Sequence, residues 1–384
     1  MSIVTAADIE QAKEVLVVGP RDLITPLAHD RARELKVEIR VTGGGSAAGA
    51  PAPLGALYRR GAPLAAARPG AVPPVDPRPT VAVVGAGHVG GVTALRLTEC
   101  DIFSRVMMID IVPGLAAGLA LDIWHSAALH GFTTRIEGSE DFAALAGADF
   151  IVVTAGRARQ PGMSRTDLIS VNAEIVRGVA VAICQHAPEA IVVVVTNPLE
   201  EMTHVVEQAS GLPAERVIGM AGVLDTARFR ALVGLSGIAK PAEVAACALG
   251  SHGPEMVIPL SQASARGVPL EQLMAPDALA AVVERTRESG AEVVKLLQKG
   301  SAYFAPAESA ARMVRAMAGN TNEVLAACVR SKGKFGLVDT RVGLLVRLTR
   351  AGASEIVNLD LRPEELQALR GAAERIAARI RELG

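Results

Sequence analysis

Apolar residues along this chain form short continuous runs that alternate with longer stretches of helical period. The run Thr80–Val84 suits a strand buried on both faces, and residues 92–97 begin the helical stretch that follows. Further strands are predicted at 106–109, 150–154 and 190–196, and helices at 116–127, 167–186 and 199–210. Strands and helices that alternate at this spacing predict an α/β fold with a doubly wound parallel sheet and right-handed crossovers.

The two ends of the chain follow other patterns. After residue 222, helices mix with strand-like runs at 244–249, 337–340, 343–348 and 354–358, and a final amphipathic helix is predicted at 363–383, which together indicate an α+β domain. Near the N-terminus, strands are predicted at 14–18 and 37–41 and a helix at 23–35. The stretch 42–78 is rich in Gly, Ala and Pro, which predicts a disordered or extended linker with at most brief helical turns at 54–58 and 64–67.

Three glycines follow the first strand in the order G-x-G-x-x-G, namely Gly85, Gly87 and Gly90. In this arrangement the first glycine permits a tight turn, the second lets a pyrophosphate approach the backbone, and the third lets the helix pack closely on the strand. Asp110 ends the next strand, about 20 residues after the last glycine, where a carboxylate would bind the ribose of NAD and repel the 2′-phosphate of NADP. The motif therefore predicts a Rossmann domain that binds NAD.

An ordinary strand-to-helix turn is the alternative explanation for these glycines. It is weakened because Thr154 and Asn197 also follow predicted strands, and ligands of such sheets bind at the carboxyl ends of the strands. We therefore expect four parts, which are an N-terminal extension at 1–41, a linker at 42–78, an NAD-binding Rossmann domain at 79–222 and an α+β substrate domain at 223–384.

Composition narrows the classes of function. Of the 384 residues, 50% are hydrophobic and only 3% aromatic, so the core should consist mainly of Ala, Val, Leu and Ile. The formal net charge of −1 argues against nucleic acid or an acidic membrane as the main partner. The four cysteines are widely spaced and form no C-x-x-C motif, as is typical of buried thiols in a reducing compartment. We therefore expect no metal site. No apolar run reaches the roughly 18 residues of a membrane span, and the N-terminus lacks the pattern of a secretory signal, so we expect a cytoplasmic protein.

Charged residues concentrate in three otherwise apolar stretches, GRARQPGMSRTDL, GVLDTARFR and LGSHGPEM. Histidine has a pKa suited to proton exchange near neutral pH, which makes His252 in the third stretch the candidate acid/base. Asp225 and Arg228 in the second stretch are three residues apart and share one helical face, so an ordinary surface ion pair is the alternative explanation for them.

Residues 80–384 resemble the malate/lactate dehydrogenase family, and within it the lactate-dehydrogenase-like branch of malate dehydrogenases. The motifs that carry the resemblance occur in the order of the family and are VVGAGHVG, MIDI, TAGRARQPGMSR, VTNP, GMAGVLDTARF, LGSHG and GSAYFAPA. The resemblance implies reversible hydride transfer between NAD and a small 2-hydroxy acid, in a homo-oligomer that is a dimer or a tetramer.

The resemblance also implies a role for each candidate residue. His252 would exchange the hydroxyl proton, Asp225 would orient its imidazole, and Arg228 would bind the C1 carboxylate of the substrate in two-pronged fashion. Arg165 would polarise the reacting carbonyl, and Asn197 would donate a hydrogen bond to it. The expected cofactor-binding residues are Gly85, Gly87, Gly90, Asp110, Asn172 and Thr196.

Arg159 is the residue that would choose the substrate. The family places Gln here for lactate and Arg for malate, whose second carboxylate requires a cation, so the chain is expected to use malate and oxaloacetate. Alternatively, a one-residue slip would put Gln160 in this place and turn Arg159 to solvent. Gly162 beside it suits the hinge of a lid that closes over the substrate.

Two departures from the family leave other functions open. Pro254 stands where the family has an aspartate after the catalytic His-Gly, and Gly343-Leu344-Leu345 replaces its usual Gly-Val-Pro. Proline removes a backbone donor and a carboxylate, which puts the geometry of the histidine loop in doubt. The alternatives are a lactate or other 2-hydroxy-acid dehydrogenase that recycles NADH, and a dinucleotide-binding protein without catalysis.

The segment LITPLAHDRARELKVEIRV near the N-terminus resembles pieces of bacterial microcompartment proteins. This second resemblance implies docking to a microcompartment shell, so the alternative dehydrogenase would recycle NADH inside a bacterial microcompartment and the alternative without catalysis would be associated with its shell. The alternative is an appendage that packs on its own subunit or on a neighbouring one.

Overall fold

The computed structural model describes residues 3–12, 14–19, 22–42, 76–157 and 165–383, which belong to two compact units, one within 1–73 and one within 74–384. The predicted linker falls outside the described residues from 43 to 75, and so do its helical turns at 54–58 and 64–67.

The N-terminal unit is a small pair of parallel two-stranded sheets with two helices. Its elements are β1 (Ile3–Val4), α1 (Ala6–Gln11), β2 (Val15–Val18), β3 (Leu23–Ile24), α2 (Pro26–Leu35) and β4 (Glu38–Val41). Strand β1 pairs with β3 and β2 pairs with β4. The helix predicted over 23–35 was wrong at its start, because Leu23 and Ile24 pair with β1 and Thr25 then caps a helix whose first residue is Pro26.

The second unit begins with six parallel strands in the order β7-β6-β5-β8-β9-β10. The elements of this half are β5 (Thr80–Val84), α3 (His88–Glu99), β6 (Arg105–Ile109), α4 (Leu115–His125), α5 (Ala127–His130), β7 (Arg135–Ser139), β8 (Phe150–Val153), α6 (Arg165–His186), β9 (Ile191–Val194), α7 (Leu199–Ser210) and β10 (Val217–Gly219). Strand order reverses between β5 and β8, and such a switch point opens a crevice for ligands. The predicted doubly wound parallel sheet is confirmed.

The remaining elements extend this sheet with antiparallel strands. They are α8 (Gly222–Leu235), β11 (Val244–Ala245), β12 (Leu249–Gly250), β13 (Met256–Val257), β14 (Ser264–Ala265), β15 (Val268–Pro269), α9 (Leu270–Leu273), α10 (Pro276–Leu297), α11 (Phe304–Ala318), β16 (Val324–Arg330), β17 (Arg341–Thr349), β18 (Gly352–Ile356) and α12 (Pro363–Arg381). Strand β16 pairs antiparallel with β10, and β17, β12, β13 and β18 complete an eleven-stranded sheet. Strands β11, β14 and β15 form a separate three-stranded sheet.

Two predictions of strands need correction, and strand β7 was not predicted. Residues 337–340 form no strand, because Ser331 bonds to Val338 and Thr340 and closes an irregular turn there. The run 244–249 is two short strands that belong to different sheets, β11 and β12. Strand β7 was missed because it lies at the sheet edge and only Ile136 in it is buried, which gives a weak apolar pattern.

Helix α6 contains the one segment of the described ranges, Leu168–His186, that is long and apolar enough to cross a membrane. Its Val176, Ala180 and Ile183 are fully buried in a cluster with Val192 and Val194 of β9. One face of this segment therefore packs in the core against the parallel sheet.

Candidate active site

A cleft of about 370 Å³ opens where β8, β9 and β10 end. Helices α10 and α11 close its other side through Val294 and Pro306. Five of the residues predicted from sequence line it together: Asn172, Thr196, Asn197, Arg228 and His252. Arg159 lies outside the described residues, and the backbone of Arg165 begins α6 while its side chain is outside the described part of the structure.

The glycine turn after β5 has the geometry that its sequence predicted. Gly85 has φ +100°, a conformation that residues with a side chain rarely adopt. A Cβ on Gly90 would lie 1.8 Å from the carbonyl oxygen of Gly85, so α3 packs too closely on the turn for any side chain. A Cβ on Gly87 would meet nothing within 4 Å, which leaves the backbone at the start of α3 accessible.

Asp110 lies beside this turn at the end of β6. Its Oδ2 accepts a hydrogen bond from the backbone N–H of Ala86 at 2.6 Å, and its Oδ1 accepts one from Val112 at 2.9 Å. Each oxygen of a carboxylate accepts more than one hydrogen bond, so these contacts fix Asp110 and leave it acceptor capacity.

Asn172 and Thr196 are buried and bind backbone groups of the cleft wall. Asn172 accepts from the N–H of Arg157 at 2.7 Å and donates to the carbonyl oxygens of Arg157 at 3.1 Å and Asn197 at 2.7 Å. Thr196 donates to the carbonyl oxygen of Ala155 at 2.7 Å. Both side chains therefore hold together the loops after β8 and β9, and their binding of cofactor stays a prediction.

His252, Asp225 and Arg228 form one contact group. The carboxylate of Asp225 lies 2.8 Å from His252 Nδ1 and 3.2 Å from Arg228 Nη1. Asp225 is 2% exposed, while His252 and Arg228 are 16% and 15% exposed and reach the cleft. A surface ion pair is thereby excluded for Asp225 and Arg228, which lie three residues apart on α8.

The electrostatic surroundings of His252 favour its protonated form. Burial alone would lower the pKa of His252, but the charge and hydrogen bond of Asp225, together with the charge of Glu200, raise it overall. With Nδ1 directed at Asp225, Nε2 is the ring nitrogen left to exchange a proton.

Sequence reasoning missed Glu200, which lies in the first turn of α7. Its Oε1 accepts a hydrogen bond from the backbone N–H of His252 at 2.7 Å, and the residue is 2% exposed. Burial, followed by the charge of Glu201, raises the pKa of Glu200 to about 7. The sequence signal for Glu200 was its place in an acidic pair, with Glu201, in the first turn of a helix. Such a pair ordinarily indicates solvated acids near a helix N-terminus, so it did not point to the site.

The histidine loop closes without the backbone donor that Pro254 lacks. Met256 donates its N–H to the carbonyl oxygen of Gly253 at 3.0 Å, and Ser251 donates to that of Glu255 at 3.5 Å. Below the loop, Gly343 on β17 pairs with Gly250, and a Cβ there would lie 2.7 Å from the carbonyl oxygen of Gly250. Pro254 therefore fits this turn, and its effect on rate stays untested.

Comparison with known proteins gives the same assignment for both halves of the second unit. Residues 80–219 match the lactate/malate dehydrogenase NAD binding domain, and residues 222–383 match the lactate/malate dehydrogenase alpha/beta C-terminal domain. The malate dehydrogenase of Chlorobium luteolum is 41% identical over 303 residues, which are 79% of this chain and 98% of that protein.

Two solved structures illustrate the similarity in three dimensions. The malate dehydrogenase of Salinibacter ruber has a TM-score of 0.76 at 36% identity and covers 79% of this chain and 97% of its own. The lactate dehydrogenase of Cryptosporidium parvum, in complex with lactic acid and nicotinamide adenine dinucleotide, also has a TM-score of 0.76, at 32% identity over 80% of this chain and 98% of its own.

Proposed function

The chain belongs to the lactate/malate dehydrogenase family, and we propose that it transfers hydride reversibly between malate and NAD, giving oxaloacetate and NADH. The observation that carries the proposal is the 2.8 Å contact of His252 with buried Asp225 at the wall of the cleft. The choice of malate as substrate is supported by the relatives of the chain, which are malate dehydrogenases.

The residues at the carboxyl end of β5 fit a dinucleotide. The backbone at Gly87 is unobstructed, and α3 begins there with free N–H groups suited to a pyrophosphate. Asp110 retains acceptor capacity for ribose hydroxyls, and its charge disfavours a 2′-phosphate. When bound, NAD supplies the acceptor for the hydride.

His252 would act as the acid/base at the substrate oxygen. In malate oxidation, Nε2 takes the hydroxyl proton, and the carboxylate of Asp225 stabilises the imidazolium and keeps Nδ1 protonated. In oxaloacetate reduction, the imidazolium returns that proton to the oxygen. The raised pKa of His252 helps the imidazole to keep the proton that it takes from malate and later returns to oxaloacetate.

Four polar side chains would bind the substrate. Arg228 suits the C1 carboxylate because its guanidinium reaches the cleft while Asp225 fixes it from behind. Asn197 and Arg165 would contact the reacting oxygen, and Arg159 would bind the second carboxylate of malate. The roles of Arg165 and Arg159 rest on the resemblance of TAGRARQPGMSR to the family.

Replacement of His252 tests the acid/base role. We expect His252→Ala to lower kcat for oxaloacetate reduction by about 100-fold or more, because general acid–base catalysis is lost. His125→Gln is the matched control, since His125 is exposed on α4. Turnover by His252→Ala equal to that of the control would contradict the role.

Replacement of Arg159 tests the choice of substrate. Arg159→Gln should shift the ratio of kcat/KM for oxaloacetate over pyruvate towards pyruvate by about tenfold or more, since a cation for the second carboxylate is lost. Arg177→Gln serves as the control, because Arg177 is exposed on α6 and is not among the residues that line the cleft. An unchanged ratio would mean that Arg159 does not bind that carboxylate.

The N-terminal unit is proposed to dock the enzyme to a bacterial microcompartment shell, and the catalytic body to assemble as a dimer or tetramer in the cytoplasm. Support comes from the resemblance of the segment LITPLAHDRARELKVEIRV and from the division of the chain into two compact units. Deletion of residues 1–41 should abolish co-purification with shells and leave turnover unchanged. Undiminished shell association of the deletion variant would reject the docking role.

A further inference from the structure

We propose that Arg379, on the C-terminal helix α12, is a positioning residue for His252, because it binds one carboxylate on α7 and one in the histidine loop and balances their charge near the imidazole. The inference rests on the proposed function only for its kinetic readout. Its geometry and its effect on the ionisation of His252 stand without that function.

Arg379 bridges two acidic residues from different elements. Its Nε donates to Oε1 of Glu201 on α7 at 2.7 Å, and its Nη1 donates to Oε1 of Glu255 at 3.2 Å. The side chains of Arg379, Glu201 and Glu255 are 16%, 0% and 17% exposed. Ion pairs this well shielded are screened little by salt, and the loss of one partner leaves the other charge uncompensated.

Glu255 joins this ion pair to the loop that carries His252. The carbonyl oxygen of Glu255 accepts the N–H of Ser251, and the N–H of His252 binds Glu200 on α7, so the loop is fixed at two points. Arg375 also approaches Glu255, at 3.5 Å, but its side chain is 57% exposed. Arg379 is therefore the main cation that holds the second point.

The same arginine determines the charge balance around the histidine. The charged and titratable groups that act on His252 or Glu200 are Asp225 and Arg228 from α8, Glu201 from α7, Cys328 from β16 and Arg379 from α12, while Glu255 from the loop acts through its ion pair with Arg379. Without Arg379, Glu201 and Glu255 would lose the positive charge that they share, and the pKa values of His252 and Glu200 would rise. The loss of Glu255 alone would leave the positive charge of Arg379 less balanced and would lower these pKa values.

The experiment measures the ionisation of His252 directly in the full-length protein. Histidines labelled with ¹³C at Cε1 are titrated by NMR, and the His252 signal is identified by its absence in His252→Gln. We expect Arg379→Gln to raise the apparent pKa of His252 by about half a unit or more, and Glu255→Gln to lower it. Arg381→Gln, on the exposed face of the same helix, is the matched control and should leave it unchanged.

Kinetics supply the second readout. Arg379→Gln should lower kcat/KM for malate oxidation by about tenfold at neutral pH and move its acid limb to higher pH, with NADH affinity intact, and Arg379→Lys should restore part of the rate. A merely structural role would lower the active fraction without moving the acid limb.

Opposite shifts in Arg379→Gln and Glu255→Gln support the proposal, and shifts equal to that of Arg381→Gln overturn it. If Arg379→Gln does not fold, Glu255→Gln decides, since an unchanged His252 pKa in that variant overturns the proposal. A wild-type chain that turns over neither malate nor oxaloacetate contradicts the proposed function alone, because the NMR titration still decides the role of Arg379.

Discussion

At the scale of single residues, the proposed proton exchange at His252 depends on Asp225. Burial of His252 disfavours its imidazolium, and Asp225 at 2.8 Å reverses that effect. Asp225→Asn should lower kcat by about 100-fold or more, because the amide neither balances the imidazolium nor fixes the tautomer. Steady-state kinetics with an NADH-binding titration would measure this, with exposed Asp122→Asn as the control. A kcat equal to that of Asp122→Asn would refute the role.

The raised pKa of His252 predicts opposite pH dependences for the two directions of the reaction. Malate oxidation needs neutral His252, so kcat/KM should rise as pH passes above the ordinary imidazole pKa. Oxaloacetate reduction needs the imidazolium and should persist to the same pH before it falls. Glu200, with a pKa of about 7, titrates beside it, so both limbs report the pair. Oxidation that is already half-maximal below the ordinary imidazole pKa would be inconsistent with the site.

At the scale of elements, substitutions at two glycines of the turn before α3 should affect stability and cofactor binding separately. Gly90→Ala should lower the Tm, because a Cβ would lie 1.8 Å from the carbonyl oxygen of Gly85. Gly87→Ala should leave the Tm unchanged and weaken NADH binding, because its Cβ meets no protein atom within 4 Å but lies where the pyrophosphate would approach. Thermal unfolding and NADH fluorescence measure the two effects. Equal NADH affinity in Gly87→Ala and wild type would mean that the dinucleotide binds elsewhere.

The elements that the sequence predicted well are those with strong local patterns. Strand β5 is a continuous apolar run, and α7 ends at Gly211, which adopts the left-handed conformation of a helix C-cap. Strands β7 and β10 escaped prediction because one has a single buried residue and the other spans three residues. Their pairing partners, which lie elsewhere in the chain, determine that they are strands.

At the scale of the whole molecule, the site residues that could be predicted are those in local motifs, and those that could not are defined by contacts with distant parts of the chain. His252, Asp225 and Arg228 were predicted because each lies in a recognisable local motif. Glu200 and Arg379 were missed because their roles depend on contacts across 52 residues with His252 and across 178 residues with Glu201. Nothing local distinguishes a buried ion pair from the solvated charges of a helix surface.

The fold, the cofactor turn and the histidine site converge on one claim, that the second unit oxidises malate and reduces oxaloacetate. A steady-state comparison of oxaloacetate with pyruvate, using the full-length chain and NADH, tests it most directly. We expect kcat/KM for oxaloacetate to exceed that for pyruvate by about 100-fold or more, because a site built around a second carboxylate strongly rejects a substrate that lacks one. A preference for pyruvate, or no oxidation of NADH with either acid, would contradict the claim.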